Sequence, residues 1–280
     1  MSLTMFALPV FAQSSKAPVK TDTRIVYHSG PVMQGVSNIY MIWYGNWAGS
    51  IAPNILNDLV LKLGSSPYFN INALYPGANG TGPNGGLIYS GTIYDSYSHG
   101  AELTPSDMQS VVRDWIVAGH LPVDSAGIYV LFASADVSDS TADGTFCTRP
   151  FPHHGSFNFN GTSLKYGFVG NGDRCPSTAP WFFGPNGNRL ATPNDNFGAD
   201  VMASTLAHLL SVTVTNPTGS GWYDRYGFEN AAKCFGIFGP TYQAANAGPA
   251  NIRIGQRDFM LQQNWVPDRK GYCAMAAPTP

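Results

Sequence analysis

Apolar runs separated by turn residues predict four strands in the first two thirds of the chain. Residues 38–44 and 127–133 are short, almost wholly apolar and rich in β-branched and aromatic side chains, so each predicts a buried strand. Residues 87–94 alternate in hydrophobicity and predict a partly exposed strand, and residues 165–169 predict a fourth. The Gly-rich segment 76–86 has no phosphate-binding lysine and predicts a surface loop.

Two further segments repeat apolar residues at i, i+3 and i+4, the spacing of one helix face. The first, residues 53–63, ends at Gly64. The second begins after Thr104, which can cap the helix with Pro105 in its first turn, and ends at Gly119. Both patterns predict helices with one buried face.

A third predicted helix carries His208. Asp195 or Asn196 can cap this helix, and Asn216 followed by Pro217 stops it. Zinc hydrolases often use a helical His-Glu-x-x-His or His-Glu-x-x-Glu, since ligands at i and i+4 share one face and the glutamate activates water. Here the segment reads HLLSV, with one ligand, no base and an apolar residue at i+4. The pattern favours a structural histidine over a metal ligand.

The elements occur in the order strand, helix, strand, helix, strand, strand, helix. This order predicts an α/β or α+β fold, and we expect a single layered domain with a mixed sheet flanked by helices. The specific architecture that it suggests is a zincin-like core, in which the His208 helix packs beneath the sheet.

Five blocks of sequence, taken in order, point to one family. The chain resembles the EXORDIUM or phosphate-induced protein family of secreted proteins, known mainly from plant cell walls and with microbial relatives. The resemblance covers residues 27–273, and the blocks that carry it are YHSGPVMQGVSNIYMIWYGNW, GTFCTRPFPHHGSF, KYGFVGNGDRCP, TVTNPTGSGWYD and QQNWVPDRKGYC.

The resemblance also supplies the candidate metal ligands. Some members of the family carry a His-Glu-x-x-Glu-like helix and a Glu-Ile-Ala-Asp before the third cysteine. This chain keeps His208, Asp224 and Glu229, and His154 stands in the family's His-Gly-Ser. Where other acidic groups would stand it has Leu209, Val212 and Ala232. The comparison argues against metallopeptidase chemistry and leaves those four ligand candidates for a rebuilt zinc site; otherwise we expect no cofactor and no catalytic residue.

The four cysteines predict two disulfides. No closely spaced Cys-x-x-Cys pair is present, which disfavours a zinc cluster. Four cysteines allow three pairings. Within the family blocks, Cys147–Cys175 and Cys234–Cys273 close the shortest loops, so we prefer that pairing.

The start of the chain predicts export. Residues 1–12 form an apolar run with a small residue at the cleavage position, as in a secretory signal peptide, although no basic residue precedes the run and the start is expected to be truncated. Residues 13–26 predict a flexible leader and residues 27–280 the domain. No other run approaches the ~18 apolar residues that span a bilayer. We therefore expect a secreted protein without a membrane span.

Charge and composition narrow the choice of partners. Charged residues make up 11% of the chain and the formal net charge is −2, which disfavours binding to nucleic acid or anionic lipid. The low charge, with 31 glycines and 21 prolines, suits an extracellular protein. Asn79 and Asn160 lie in glycosylation sequons, which are meaningful in a eukaryotic host.

Two functions from different classes fit these observations. The first is a non-catalytic extracellular or wall-associated protein that binds a cell-wall polysaccharide or an extracellular protein. Aromatic side chains suit sugar faces, and the candidates are Trp47, Trp181, Phe182, Phe183, Trp222 and Tyr223. The alternative is a zincin-like metallohydrolase, a peptidase with a degenerate metal-binding helix. Leu209 removes the usual base, and the sequence therefore favours the binding protein.

Overall fold

The chain folds around a five-stranded mixed sheet in a computed structural model that describes residues 24–149 and 151–278. The expected signal peptide and most of the leader lie outside these residues. The strands are β1 Val26–Tyr27, β2 Gly35–Tyr44, β3 Pro83–Asp95, β4 Glu102–Leu103, β5 Gly127–Ala133, β6 Ser138–Asp139, β7 His153–Phe159, β8 Thr162–Val169, β9 Trp222–Tyr223, β10 Tyr242–Gln243, β11 Pro249–Ala250, β12 Ile252–Ile254, β13 Arg257–Phe259, β14 Asn264–Val266 and β15 Tyr272–Ala274. The α-helices are α1 Ala52–Leu63, α2 Pro105–Val117 and α3 Phe197–Thr215, and short 3₁₀ helices cover Phe69–Leu74, Pro176–Thr178, Pro180–Phe182 and Ala231–Cys234.

The central sheet has the strand order β3-β2-β5-β8-β7. Its first four strands are parallel, and β7 pairs antiparallel with β8 at one edge. In chain order, α1 lies between β2 and β3, and α2 lies between β3 and β5. All four predicted strands and all three predicted helices are therefore present.

Helices cover both faces of this sheet. Alternate side chains of β2 point to opposite faces: Met41 and Trp43 pack with α1 and α3, whereas Ile42 and Tyr44 pack with α2. The predicted α/β class, with a single layered domain and a mixed sheet flanked by helices, is confirmed. The zincin-like core stays a prediction.

Helix α3 runs through the core. Asn196, rather than Asp195, caps it by accepting a hydrogen bond from the Ala199 amide at 2.9 Å. Every residue of α3 except Thr205 is buried. Among the described residues this helix alone has the length and apolar composition of a membrane span, but 94% of the apolar window is buried inside the protein, as expected for a core helix.

The strand β7 was not predicted. The prolines at positions 150 and 152 favour a loop around His153 and His154, and this expectation is wrong, because both histidines begin an edge strand in which His154 pairs with Gly167. All seven residues of β7 except Asn158 are half-buried. The strand therefore shows neither the continuous apolar run nor the apolar–polar alternation by which a strand is recognised in a sequence. Its hydrogen bonds to β8 define it instead.

The ends of the described chain also fold onto the domain. Ile25 is buried and Val26 pairs with Tyr223 of β9, so these two residues of the expected leader belong to ordered structure. Near the other end, Cys273 is bonded to Cys234, and the second disulfide joins Cys147 to Cys175. The preferred pairing is confirmed, and no described cysteine is free.

Removing the Cys234–Cys273 bridge by a double alanine substitution is expected to lower the free energy of unfolding by about 4 kcal/mol. The bridge closes a loop with a sequence separation of 39, and the chain-entropy cost of such a loop in the unfolded state has about this size. Denaturant titration measures the loss. Thiol titration of the unreduced, denatured wild type should find no free thiol; a loss below 1 kcal/mol would contradict the prediction.

Candidate functional site

A cavity of about 600 Å³ lies beside α3 near the carboxyl end of β8. One wall is α3. Residues 146–149, 151 and 152, which precede β7, form a second wall, and the Cys147–Cys175 disulfide ties them to the chain that follows β8. The volume is within the range of ~300–1,000 Å³ that is typical of small-molecule sites.

Aromatic rings form much of the cavity lining. They come from separate parts of the chain and are Phe146, Phe151, Phe168, Trp181 and Phe235. Phe151 and Phe235 meet edge to face with ring centroids 5.5 Å apart, and Phe146 lies 6.0 Å from Phe168. The cavity therefore presents flat apolar surfaces in several orientations.

His208 lies in this cavity, four residues after Ser204 on the same face of α3. The side chain is almost fully buried, and the ring of Phe151 lies 5.6 Å from its own. Burial lowers the pKa of His208 to about 4, although a hydrogen bond with the Gln262 side chain and the charge of Glu229 act in the opposite direction. His208 is therefore a neutral imidazole at neutral pH.

Arg149 also lines the cavity, but its guanidinium is engaged by the protein. It forms an ion pair with the fully buried Asp139. Its Nε donates to the Phe151 carbonyl at 2.9 Å, and Nη1 donates to the Gly144 carbonyl at 2.9 Å. Asp139 in turn accepts a hydrogen bond from the Phe146 amide at 2.8 Å. These bonds hold the aromatic wall in its shape.

His154 and Glu229 form a mostly buried ion pair outside the cavity lining. The Nε2 atom of His154 lies 3.1 Å from each carboxylate oxygen, and the Asn216 amide donates to Glu229 Oε1 at 2.6 Å. Burial lowers the pKa of His154, but the charge of Glu229 and its hydrogen bond outweigh burial, so the pKa is raised. The pair joins β7 to the segment that follows α3.

Asp224 does not join the other candidate ligands. Its carboxylate accepts from Lys233 Nζ at 2.7 Å and from the amides of Tyr226 and Phe228 at 2.9 and 3.0 Å. Burial acts to raise the pKa of Asp224, but these hydrogen bonds and the Lys233 charge outweigh it and lower the pKa. Asp224 closes a surface turn.

The structure brings together His154 and Glu229, with His208 near enough to be affected by the charge of both. Within residues 24–149 and 151–278, no three His, Cys, Asp or Glu side chains are grouped so that they could hold a metal ion. Of the four candidate ligands, His154 and Glu229 pair with each other and Asp224 pairs with Lys233. His208 is a buried, neutral histidine.

Comparison with known proteins identifies the family. Residues 25–258 match the phosphate-induced protein 1 conserved region. The chain belongs to this family. It is 31% identical to Protein EXORDIUM-like 5 of Arabidopsis thaliana over 87% of the chain and 76% of that protein, and 30% identical to Protein EXORDIUM-like 3 of the same plant over 86% of the chain and 80% of that protein. It is 26% identical to Protein PHOSPHATE-INDUCED 1 of Nicotiana tabacum over 79% of the chain and 75% of that protein. No solved structure matches.

Three positions were expected from the family resemblance to be acidic and are apolar in this member of the phosphate-induced protein 1 family; all three are buried. The exposed fractions are 0% for Leu209, 1% for Val212 and 8% for Ala232. Leu209 packs against Gly167 of β8, where an added Cβ would lie only 2.4 Å from the Leu209 Cδ1 atom. Its side chain therefore faces the sheet core, whereas His208 faces the cavity.

The aromatic residues proposed for sugar stacking divide into three groups. Trp47 and Phe182 are buried, and this part of the expectation is wrong, because each packs on core aromatic rings such as those of Trp43 and Phe197. Trp181 lines the cavity. The remaining three are half-buried and outside the cavity lining: Phe183, Trp222 and Tyr223.

Sequence reasoning missed most of the cavity. Phe146, Phe151, Phe235 and Gln262 come from segments without regular periodicity, and nothing in their local sequence marks them as neighbours. A partial signal existed in the spacing of Ser204 and His208, since i and i+4 share one helix face. The two sequon asparagines, Asn79 and Asn160, are exposed, as the glycosylation prediction requires.

Proposed function

We propose that this protein is a secreted, non-catalytic member of its family that binds a cell-wall glycan in the aromatic-lined cavity beside α3. The observation that carries the proposal is the cavity itself: about 600 Å³, lined by five aromatic side chains together with eight polar ones, namely Thr148, Arg149, Ser177, Thr178, Ser204, Thr205, His208 and Gln262. Sugar rings have apolar faces and hydroxyl edges, so flat aromatic surfaces with a few hydrogen-bonding groups suit them.

Three observations support an extracellular location. Both cysteine pairs form disulfides, which persist in oxidising compartments. The first 12 residues have the composition of a signal peptide, and the chain carries few charges.

The charge and the bonding partners of His208, Asp224 and Glu229 favour a binding role without catalysis. The His208 ring is neutral and buried, and the residue after it is a leucine that packs on the sheet. Asp224 and Glu229 each hold a basic partner in an ion pair. General acid–base work needs a free titratable group within reach of the reacting atoms, and these groups are engaged elsewhere.

Replacing Trp181 with alanine is expected to weaken glycan binding at least tenfold, because an aromatic wall residue contributes on the order of 2 kcal/mol to binding. Isothermal titration calorimetry of the mature protein with cellotetraose, mannotetraose, xylotetraose, laminaritetraose and galactotetraose measures the effect. Phe235→Ala, a change at a partly exposed cavity residue, should weaken binding in the same direction.

Tyr94→Ala is the matched control, since Tyr94 is exposed on β3 at the opposite edge of the sheet and should leave affinity unchanged. The proposal is wrong if none of these glycans binds, or if Tyr94→Ala weakens binding as much as Trp181→Ala and Phe235→Ala do.

The purified mature protein is also expected to carry no stoichiometric zinc and to show no peptidase activity that a chelator abolishes. A zinc hydrolase needs about three protein ligands, an open position for water and a nearby base. Elemental analysis and a peptidase assay with and without chelator test this. One tightly held zinc per chain, lost in a His208→Ala variant together with peptide hydrolysis, would favour the metallohydrolase alternative.

A further inference from the structure

We propose that the cavity is selective for uncharged sugars and rejects acidic ones such as uronic acids. This inference rests on the proposed glycan-binding function and specifies the chemical class of the ligand. It follows from how the cavity's one formally charged side chain is held.

Among the described residues that line the cavity, Arg149 alone carries a formal charge. Its side chain is only 6% exposed and its ion-pair partner Asp139 is 0% exposed. Its Nε and Nη1 donors are directed to the carbonyls of Phe151 and Gly144 and to the Thr141 hydroxyl, and its Nη2 is buried on the side of Asp139. A buried guanidinium whose charge is balanced and whose Nε and Nη1 donors are engaged offers little to a ligand carboxylate.

Turning Arg149 toward a ligand would carry a large cost. Asp139 would become a buried carboxylate without a counter-charge, and leaving one partner of a buried ion pair unpaired is strongly destabilising. The Phe146 amide also donates to Asp139, so the rearrangement would disturb the aromatic wall. A single carboxylate on a sugar does not offset these losses.

His208 does not replace the missing cation. It is buried beside the ring of Phe151, and burial lowers its pKa to about 4. A uronic acid is ionised at pH 7, so its carboxylate would enter an apolar, aromatic environment without a counter-charge. Such a transfer is strongly unfavourable.

The other polar groups of the cavity are neutral and suit hydroxyls. The Ser204 Oγ accepts a hydrogen bond from the backbone N–H of Gln262 at 3.0 Å and keeps its own proton to donate. Thr205, on the next position of α3, is the single half-buried residue of that helix. Neutral donors and acceptors of this kind recognise sugar hydroxyls without requiring charge.

Matched pairs that differ only at C6 test the inference with the wild-type mature protein at pH 7. The probes are α-1,4-galactotriose against α-1,4-trigalacturonic acid, and β-1,4-mannotriose against β-1,4-trimannuronic acid, with cellotriose and its triuronic counterpart as a third pair. In each pair that binds, calorimetry should give the neutral member at least ~30-fold higher affinity.

Equal or tighter binding of the acidic members overturns this inference while the glycan-binding proposal stands. Absence of binding by every neutral and acidic probe overturns both.

A charge-gain variant tests the cause. Thr205→Lys supplies a cation at the half-buried wall position and should reduce or reverse the preference for neutral sugars, whereas Thr205→Gln, of comparable length and uncharged, should retain it. Circular dichroism and thermal unfolding establish that both variants fold. A folded Thr205→Lys protein that discriminates as strongly as the wild type would show that the lack of a free cation is not the cause of rejection, and would overturn the inference.

Discussion

Replacing Leu209 with glutamate is expected to lower the free energy of unfolding by at least ~4 kcal/mol, which is enough to unfold many domains. Leu209 is 0% exposed and contacts Gly167 of β8 within the cluster formed by the sheet, α1 and α3. A glutamate there would bury a carboxylate without a partner. A carboxylate introduced one residue after His208 should therefore destabilise the fold rather than create a base.

Chemical denaturation followed by circular dichroism measures this loss. Leu209→Met is the control, because a swap that conserves volume and polarity costs less than ~1.5 kcal/mol in a packed core. A Leu209→Glu protein with the stability of the wild type would contradict the described packing of α3 on β8.

Replacing Glu229 with leucine is expected to lower the free energy of unfolding by about 3 kcal/mol at pH 6, because it removes one partner of a mostly buried ion pair. His154 would keep its buried imidazole without a counter-charge, and the Asn216 amide would lose its acceptor.

The effect should depend on pH in a defined direction. The pKa of His154 is raised in the folded protein, because the charge and hydrogen bond of Glu229 outweigh burial. The ion pair therefore contributes fully below the unfolded histidine pKa of about 6.5 and its contribution is lost as the pH rises through the folded pKa. The difference in stability between wild type and Glu229→Leu should be greatest below pH 6.5 and should shrink at higher pH.

Urea denaturation at a series of pH values measures this difference. The series runs from about pH 5.5 to about pH 9, so that it brackets the titration of His154 in both the unfolded and the folded protein. The matched control is Glu102→Leu, since Glu102 is the other glutamate of the chain and is exposed on β4. A gap that is constant or grows with pH would contradict the assigned role of the His154–Glu229 pair.

Local sequence was sufficient to predict those strands and helices whose formation depends on their own residues. Strand β5 begins and ends at the predicted residues. It is buried on both faces, so it is a continuous apolar run whose bounds can be read from the sequence. The capping box of Thr104 and Asp107 begins α2 where its sequence indicated. The edge strand β7 was not predicted. Its half-buried residues, two of them histidines, show no strong alternation of hydrophobicity, and its hydrogen bonds are made to β8.

The chain by itself determined the family, the α/β class, the principal strands and helices and the chemical types in the candidate site. It did so because periodicity, caps and ordered motifs are properties of neighbouring residues. Only the tertiary structure decided that His154 pairs with Glu229, that Asp224 pairs with Lys233, and that His208 lies neutral in an aromatic cavity. Ion pairs and cavities depend on distances between side chains that lie far apart in sequence, as the sequence separation of 75 between His154 and Glu229 illustrates. Those distances follow from strand order and helix packing.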